Sequence, residues 1–403
     1  MNYKIRQVFI NTKEEAFAEF KKIGSTAEGA KIMSDKYINI AIRVDGVENK
    51  AVNILKQEML VRNGDVAVSR NAMYSSGEKS DIIIFGTQKN LRSFMDKIRL
   101  QPFGLKAMSI ELDEFLNSLE KNKSQNTFRI SKNIFDIKNG TVVMGILNAT
   151  PDSFFDGGKY SNFKDACSRA DKIASEGAHI IDVGGMSTRP GSEPVSLNEE
   201  AERTIPLISH IKKNHDILIS IDTFRSEVAE MAVKEGAEII NDISGLVLDE
   251  KMKQVAAQTG ASLVLMHMKG TPENMQDNPV YEDVIGEIYD FFRAQTNIAL
   301  NAGVKREKII IDPGLGFGKT PEHNFKIIKR LSDFKSLGYP ILAGASRKSF
   351  TGILLKLPPD ERLEGSLAAA VLCVLNGADI LRVHDVKETI RALNLVKAIQ
   401  NIE

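Results

Sequence analysis

The chain has 403 residues, 42% of them hydrophobic and 26% charged, with a formal net charge of zero. That composition is globular, and the length allows two or three domains or one large barrel with an added module. Balanced charge gives no general pull on nucleic acid or an anionic membrane surface, so neither is expected as a partner. The N-terminal MNYKIRQVFI lacks the apolar core of a secretion signal, and no stretch reaches membrane-spanning length, so a cytoplasmic protein is expected. Cys167 and Cys373 sit inside apolar helical patterns and read as small core residues in a reducing compartment.

Residues 1–125 mix strand and helix patterns, which predicts a smaller α+β domain without an assigned role. YINIAIRV (37–44) alternates as a strand does, AVNILKQEML (51–60) has helical spacing, DVAVSR and DIIIFGT read as strands, and KNLRSFMDKI reads as an amphipathic helix. The polar residues of NILKQEML read as a packing or association surface, with a site as the alternative. All six histidines lie after residue 150, so no metal-ligand cluster is expected in this part. LEKNKSQNTFR (119–129) is polar and aperiodic and is expected to be a linker.

Residues 127–403 are far more regular. FDIKNGT carries an Asn-Gly turn signal for a lead-in hairpin. Eight apolar runs follow: VVMGILN, HIIDVGG, ILISIDT, EIINDIS, SLVLMHM, IIIDPG, ILAGAS and ILRVHD. Amphipathic segments such as FKDACSRADKIASEGA and NEEAERTIPLISHIKK separate them. Continuous apolar strands alternating with helices predict an α/β protein whose parallel sheet closes as a (β/α)8 TIM barrel. An open doubly wound sheet is the alternative, but no glycine fingerprint follows the first strand.

Each run ends in residues that can bond, charge or coordinate: Asn148; Asp182; Asp222; Asn241 and Asp242; His267; Asp312; Ser346, Arg347 and Lys348; Arg382, His384 and Asp385. In a barrel these ends share one face, and so many polar groups in one mouth imply a ligand. Asp182, Asp222 and Asp312 with Asn241 and Asn148 suit a nitrogenous ring. Arg382, His384, Arg189, Thr188 and Asn148 suit a phosphate, with or without a divalent cation. DPGLGFGK (312–319) has neither Walker nor dinucleotide spacing, and its glycines read as places where backbone approaches a ligand. In MGILNATPDSFFDGG (144–158), a strand runs into an amide, carboxylates and two phenylalanines, as a lid would.

MGILNATPDSFFDGG, IDVGGMSTRPG, SIDT, IINDI, LMHMKGTPENMQ, IDPGLGFGKT, GASRKSF and LRVHDVKET, in this order, resemble the dihydropteroate synthase family over residues 141–400. That family joins 6-hydroxymethyl-7,8-dihydropterin pyrophosphate to para-aminobenzoate in folate synthesis and is the target of sulfonamides. The resemblance implies that Asp222, Asn241, Asp312 and Lys348 hold the pterin, with Asp182, Met266 and Gly344 in the same pocket. It implies that Arg382 and His384 hold the pyrophosphate and that Asn148 binds Mg2+. Phe154, Pro190, Phe317, Lys348 and Ser349 would form the aminobenzoate slot, touched by Thr188 and Arg189. A homodimer through the last helices is implied as well.

Met186 departs from the polar residue usual in GGxSTRPG, which touches lid hydrogen bonding or the metal environment. Two rivals share the pterin-binding barrel: a methyltetrahydrofolate:corrinoid methyltransferase and a non-catalytic pterin-binding protein. The first has no use for STRPG, SRKS and RVHD together, and only Met186 favours the second.

Overall fold

Alternating burial along β1 (Asn39–Glu48), β2 (Asp65–Ala67) and β3 (Lys79–Thr87) builds an antiparallel sheet in the order β1-β3-β2, with Ile42 opposite Ile84. The computed structural model describes all residues except 1–2, 74–77, 125–126, 132, 137–139, 150–158, 187–194, 272, 401 and 403. Helices α1 (Lys13–Lys22), α2 (Ala27–Tyr37), α3 (Asn49–Leu60), α4 (Gln88–Ile98) and α5 (Leu105–Ser124) complete this part. Thr12, Thr26 and Thr87 cap α1, α2 and α4 by accepting a backbone N–H from the first turn. Leu55 and Met59 of α3, Leu91 and Phe94 of α4 and Leu116 of α5 share one core with Ile82 and Ile84. Within NILKQEML, Leu55 and Met59 pack the interior of this part, while Leu60 is exposed.

The chain divides into two compact units, 1–120 and 121–403. The division falls within the stretch 119–129 expected to join the two parts; its described residues are not aperiodic but belong to the end of α5 and, from Thr127, to a strand. Leu, Glu and Lys sustain a helix, and polarity alone, without Gly or Pro, does not stop one.

The second unit starts with a hairpin, β4 (Thr127–Ile130) and β5 (Asn133–Asp136), whose Phe128 and Phe135 rings stack at 5.5 Å. Its turn contains Ser131 at φ 52°. The Asn-Gly pair expected to make the turn lies beyond β5, and Asn139 is outside the described residues. Eight parallel strands follow: β6 (Val142–Asn148), β7 (Ile180–Gly184), β8 (Leu218–Asp222), β9 (Ile239–Asp242), β10 (Ser262–Met266), β11 (Ile309–Asp312), β12 (Leu342–Ala343) and β13 (Ile380–Val383). They pair in the order β11-β10-β9-β8-β7-β6-β13-β12, and a parallel bridge between Ile311 and Ile341 closes the ring. Helices α6 (Lys159–Ser175), α7 (Leu197–Asn214), α8 (Ser226–Glu235), α9 (Met252–Thr259), α10 (Val284–Asn301), α11 (Pro321–Lys329), α12 (Ser349–Leu355), α13 (Leu363–Leu375) and α14 (Val386–Gln400) alternate with the strands.

Strand parity decides what faces the lumen, because successive side chains point to opposite faces. Every strand contributes to a shared apolar plug: Val142 and Met144, Ile180, Leu218, Ile239, Val264, Ile310, Leu342 and Ile380. Ile130 of the hairpin joins this plug, with Phe128 and Phe135 packed against it. The other parity, for example Ile181, Ile219, Leu263 and Leu381, packs with residues of the surrounding helices.

Candidate active site

Counting in twos from the plug residues leads to Asp182, Ser220, Asp222, Asn241, Met266, Asp312, Gly344 and Arg382. The lumen is thus apolar at one end and polar at the other. Arg382 spans it: Nε donates to Asp182 Oδ2 and Nη2 to Asp222 Oδ2, each at 2.6 Å. Asn241 Nδ2 donates to Asp182 Oδ2 at 3.1 Å. Gly314 N–H donates to Asp312 Oδ1 at 2.8 Å, and Lys348 Nζ stands 4.0 Å from the centre of the Phe317 ring. One cavity brings together Asn241, Met266, Asp312, Phe317, Gly344, Lys348 and Arg382, all expected site residues. Gly314, one of the glycines expected to bring backbone close to a ligand, also lines it, as do Ile243 and Leu315, which were not foreseen. Ile243 belongs with Met266, Met275 and Phe317 in a small apolar cluster. The available signal was an isoleucine one residue past the strand end, flanked by polar neighbours.

Three acids (Asp182, Asp222, Asp312) here face two bases (Arg382, Lys348). Burial pushes the Asp312 carboxyl up to about 6, against the Gly314 N–H and the charges of Lys348, Arg382 and Lys319. Burial also raises Asp222, while Arg382 opposes it. Burial and Arg382 bring the Lys348 ammonium down to about 8, with Asp312 and Asp222 resisting. Arg382 stays charged: burial acts against it, but Asp182 and Asp222 more than compensate. Asp182 Oδ1, Asn241 Oδ1 and Ser220 Oγ are buried without a hydrogen-bond partner. Such atoms mark a place where a ligand or water completes the bonding.

His384 stands half-buried just past the end of β13. Burial, then Arg382, bring its imidazole down to about 3, and Nδ1 lies 3.1 Å from Ser346 Oγ. It therefore offers a neutral N–H rather than a positive charge. Ser349 is exposed at the start of α12 and does not line the cavity. Asn148 ends β6 half-buried: a Cβ on Gly184 would lie 3.6 Å from Asn148 Oδ1 and 3.7 Å from Asp222 Oδ2. Phe154, Thr188, Arg189 and Pro190 lie outside the described residues.

Four of the polar strand-end residues, Arg347 among them, do not serve the mouth. Asp242, His267 and Asp385 are on the outward parity, one residue away from lumen positions. Asp242 accepts from Ser244 N, Ser244 Oγ and Leu246 N, forming a local turn. Asp385 takes two hydrogen bonds from Arg347, whose φ of 55° carries the chain toward Lys348. His267 is bonded to Lys319.

A family model described as pterin binding enzyme matches residues 144–384. Dihydropteroate synthase of Synechocystis sp. is 49% identical over 259 residues, 64% of this chain and 90% of that protein. A probable bifunctional folylpolyglutamate synthase/dihydropteroate synthase of Haloferax volcanii is 36% identical over 359 residues, 87% of this chain and 42% of that protein. That match is longer than residues 121–403, so it enters the first unit. The crystal structure of dihydropteroate synthase from Clostridium difficile in the presence of pteroic acid superposes with a TM-score of 0.63 at 45% identity, covering 66% of this chain and 100% of the other. A lumen of acids, amide and cations at the strand ends of a closed barrel, with sequence identity of this extent, places the chain in the pterin binding enzyme family, among its dihydropteroate synthases.

Proposed function

We propose that residues 121–403 carry out the synthase reaction in a dissociative order. The C–O bond between the pterin methylene and the diphosphate breaks first. The para-aminobenzoate nitrogen then forms the C–N bond and releases a proton. Its lone pair is delocalised into the ring, so it is a weak nucleophile, and departure of the leaving group is the step that needs help. The observation that carries this reading is the lumen cluster, three carboxylates against two cations. With all five ionised it has a deficit of one positive charge, which suits a pterin cation formed beside it.

Asp222, Asn241, Asp312 and Lys348 would hold the ring, with Asp182 orienting Asn241 and Arg382. Arg382 would exchange part of its carboxylate pairing for diphosphate oxygens, and His384 would donate a neutral N–H to them. Phe317 gives an apolar wall. Phe154, Thr188, Arg189, Pro190 and Ser349 are assigned to the aminobenzoate side by family resemblance alone.

The donor chemistry near Asn148 fits Mg2+. A carboxamide oxygen and the Asp222 carboxylate flank Gly184, and Mg2+ takes few protein oxygens beside waters and substrate phosphates. Asn148 would be its protein ligand, and bound Mg2+ would neutralise charge on the departing diphosphate.

Leu372 and Leu375 of α13 and Leu395 and Ile399 of α14 are exposed on two helices packed together. Exposed apolar patches of this kind mark association surfaces, and we assign this one to a homodimer. Buried, unpaired Cys167 and Cys373 suit a reducing compartment, and we assign the chain to the cytoplasm.

The test is pyrophosphate release from the pterin pyrophosphate with para-aminobenzoate, using Asp222→Asn and Arg382→Ala separately. Each is expected to lower turnover by about a hundredfold or more. Turnover within a few-fold of the parent in both would end the assignment.

A further inference from the structure

In the loop after β11 lies a buried lysine that the reaction as described leaves unused. Lys319 closes the loop 312–319, is only 3% exposed and sends its side chain back toward the end of β10. Its Nζ lies 2.8 Å from Phe317 O, 3.2 Å from His267 O and 3.0 Å from His267 Nδ1. An ammonium has three protons, and three acceptors surround it. Burial, then Lys319 itself, hold the His267 pKa at about 2, so the imidazole is neutral and Nδ1 is free to accept. Burial draws the Lys319 pKa down to about 7 while Asp312 holds it up and Lys348 lowers it. A neutral amine here would point its lone pair at an acceptor, so the bonding geometry favours the ammonium.

The loop that Lys319 pins is the one that presents the site. Asp312 opens it and Phe317 sits near its end. Main chain meets main chain along it: Gly314 has φ +67°, and a Cβ there would lie 2.0 Å from His267 O. Gly318 has φ +61°, and a Cβ there would lie 2.4 Å from Lys269 O. His267 N–H also donates to Asp312 O at 2.9 Å. Neutral groups fix other points of the loop: Asn324 Oδ1 accepts from Gly316 N, and Tyr281 Oη donates to Gly318 O. Among the described residues, Lys319 is what ties the carbonyl of Phe317 to the end of β10.

We propose that Lys319 is a positioning residue for the synthase reaction, its buried ammonium joining the carbonyls of His267 and Phe317 and so setting the Phe317 ring and the Asp312 carboxylate at the height the substrates require. This rests on the reading that Asp312 and Phe317 face the two substrates. A merely structural lysine would change stability and leave the kinetic constants of the folded protein alone.

The experiment measures kcat, both KM values and thermal unfolding for Lys319→Met, Lys319→Gln and Lys319→Ala, with Asp312→Asn as a control. Lys319→Met, folded, is expected to raise the KM for para-aminobenzoate by about tenfold or more. Lys319→Gln, which keeps two donors, should recover part of that loss. Propylammonium added to Lys319→Ala should restore activity saturably, while the parent is unaffected. KM and kcat within twofold of the parent in a folded Lys319→Met, or no recovery by either route, overturns the proposal. Failure of all three variants to fold also overturns it, because the residue would then determine the fold. Asp312→Asn separates the two ideas: if it keeps parental turnover, the reading of the pocket fails, whatever the lysine variants do.

Discussion

Asp312 and Lys348 line the same lumen cavity with pKa values brought toward each other, to about 6 and about 8. Both groups act in their charged forms in the proposed reaction. Activity is therefore lost below about 6, as Asp312 takes up a proton, and above about 8, as Lys348 gives one up. The expected kcat/KM profile is a bell between these limits, read on the free enzyme. Asp222 titrates upward for the same reason, burial, so the acid limb should be steeper than a single proton gives. A profile flat from about pH 5 to about 7 would contradict an ionised Asp312 in the reaction. Stability has the opposite sign for this group. Its raised folded pKa means that its favourable contribution is complete below the unfolded value and is lost as pH rises through about 6. Asp312→Asn should therefore gain in Tm relative to the parent as pH rises through that value.

At the scale of elements, the hairpin β4–β5 stands out. Ile130 is fully buried in the plug formed by all eight strands, with the stacked Phe128 and Phe135 beside it. The polar lumen residues begin two positions further along the strands. Ile130→Ala should cost about 2–4 kcal/mol in urea unfolding, by lost burial and a cavity, and leave both KM values near the parent's. A change in KM without loss of stability would show that the hairpin shapes the pocket instead. The helices α13 and α14 give a second element-level expectation. Leu372→Glu with Leu395→Glu should convert a dimer to a monomer in sedimentation velocity, since charges do not bury in an apolar interface without partners. A parent that sediments as a monomer would refute the homodimer.

For the whole molecule, the two units have different standing. The expected and observed site residues all belong to 121–403, and the Synechocystis relative is matched over 90% of its length by 259 residues. A chain starting at Thr127 should therefore keep kcat/KM within about threefold of the full chain in pyrophosphate release. A larger loss would give the first unit a part in the reaction. Its own core, with Leu55, Met59 and Phe94 fully buried, marks it as a folded module, and the Haloferax match shows that one other synthase carries a related segment.

The sequence by itself determined the eight-fold alternation of strand and helix, the strand positions and most of the cavity lining. Apolar runs of β-branched residues between amphipathic helices have few other ways to bury their surface, and motifs at strand ends then share one mouth. It missed the end of α5, because a polar segment rich in Glu and Lys resembles a linker until its hydrogen bonds are seen. It also counted Asp242, His267 and Asp385 among the mouth residues, although a count in twos from Ile239, Val264 and Ile380 already turns them outward. Only the tertiary structure decided which charges meet. Arg382 lies 200 residues from Asp182 and 160 from Asp222, and Lys319 lies 52 from His267. Pairings at such separations depend on closure of the ring, which sets distances that composition and spacing along one strand do not contain.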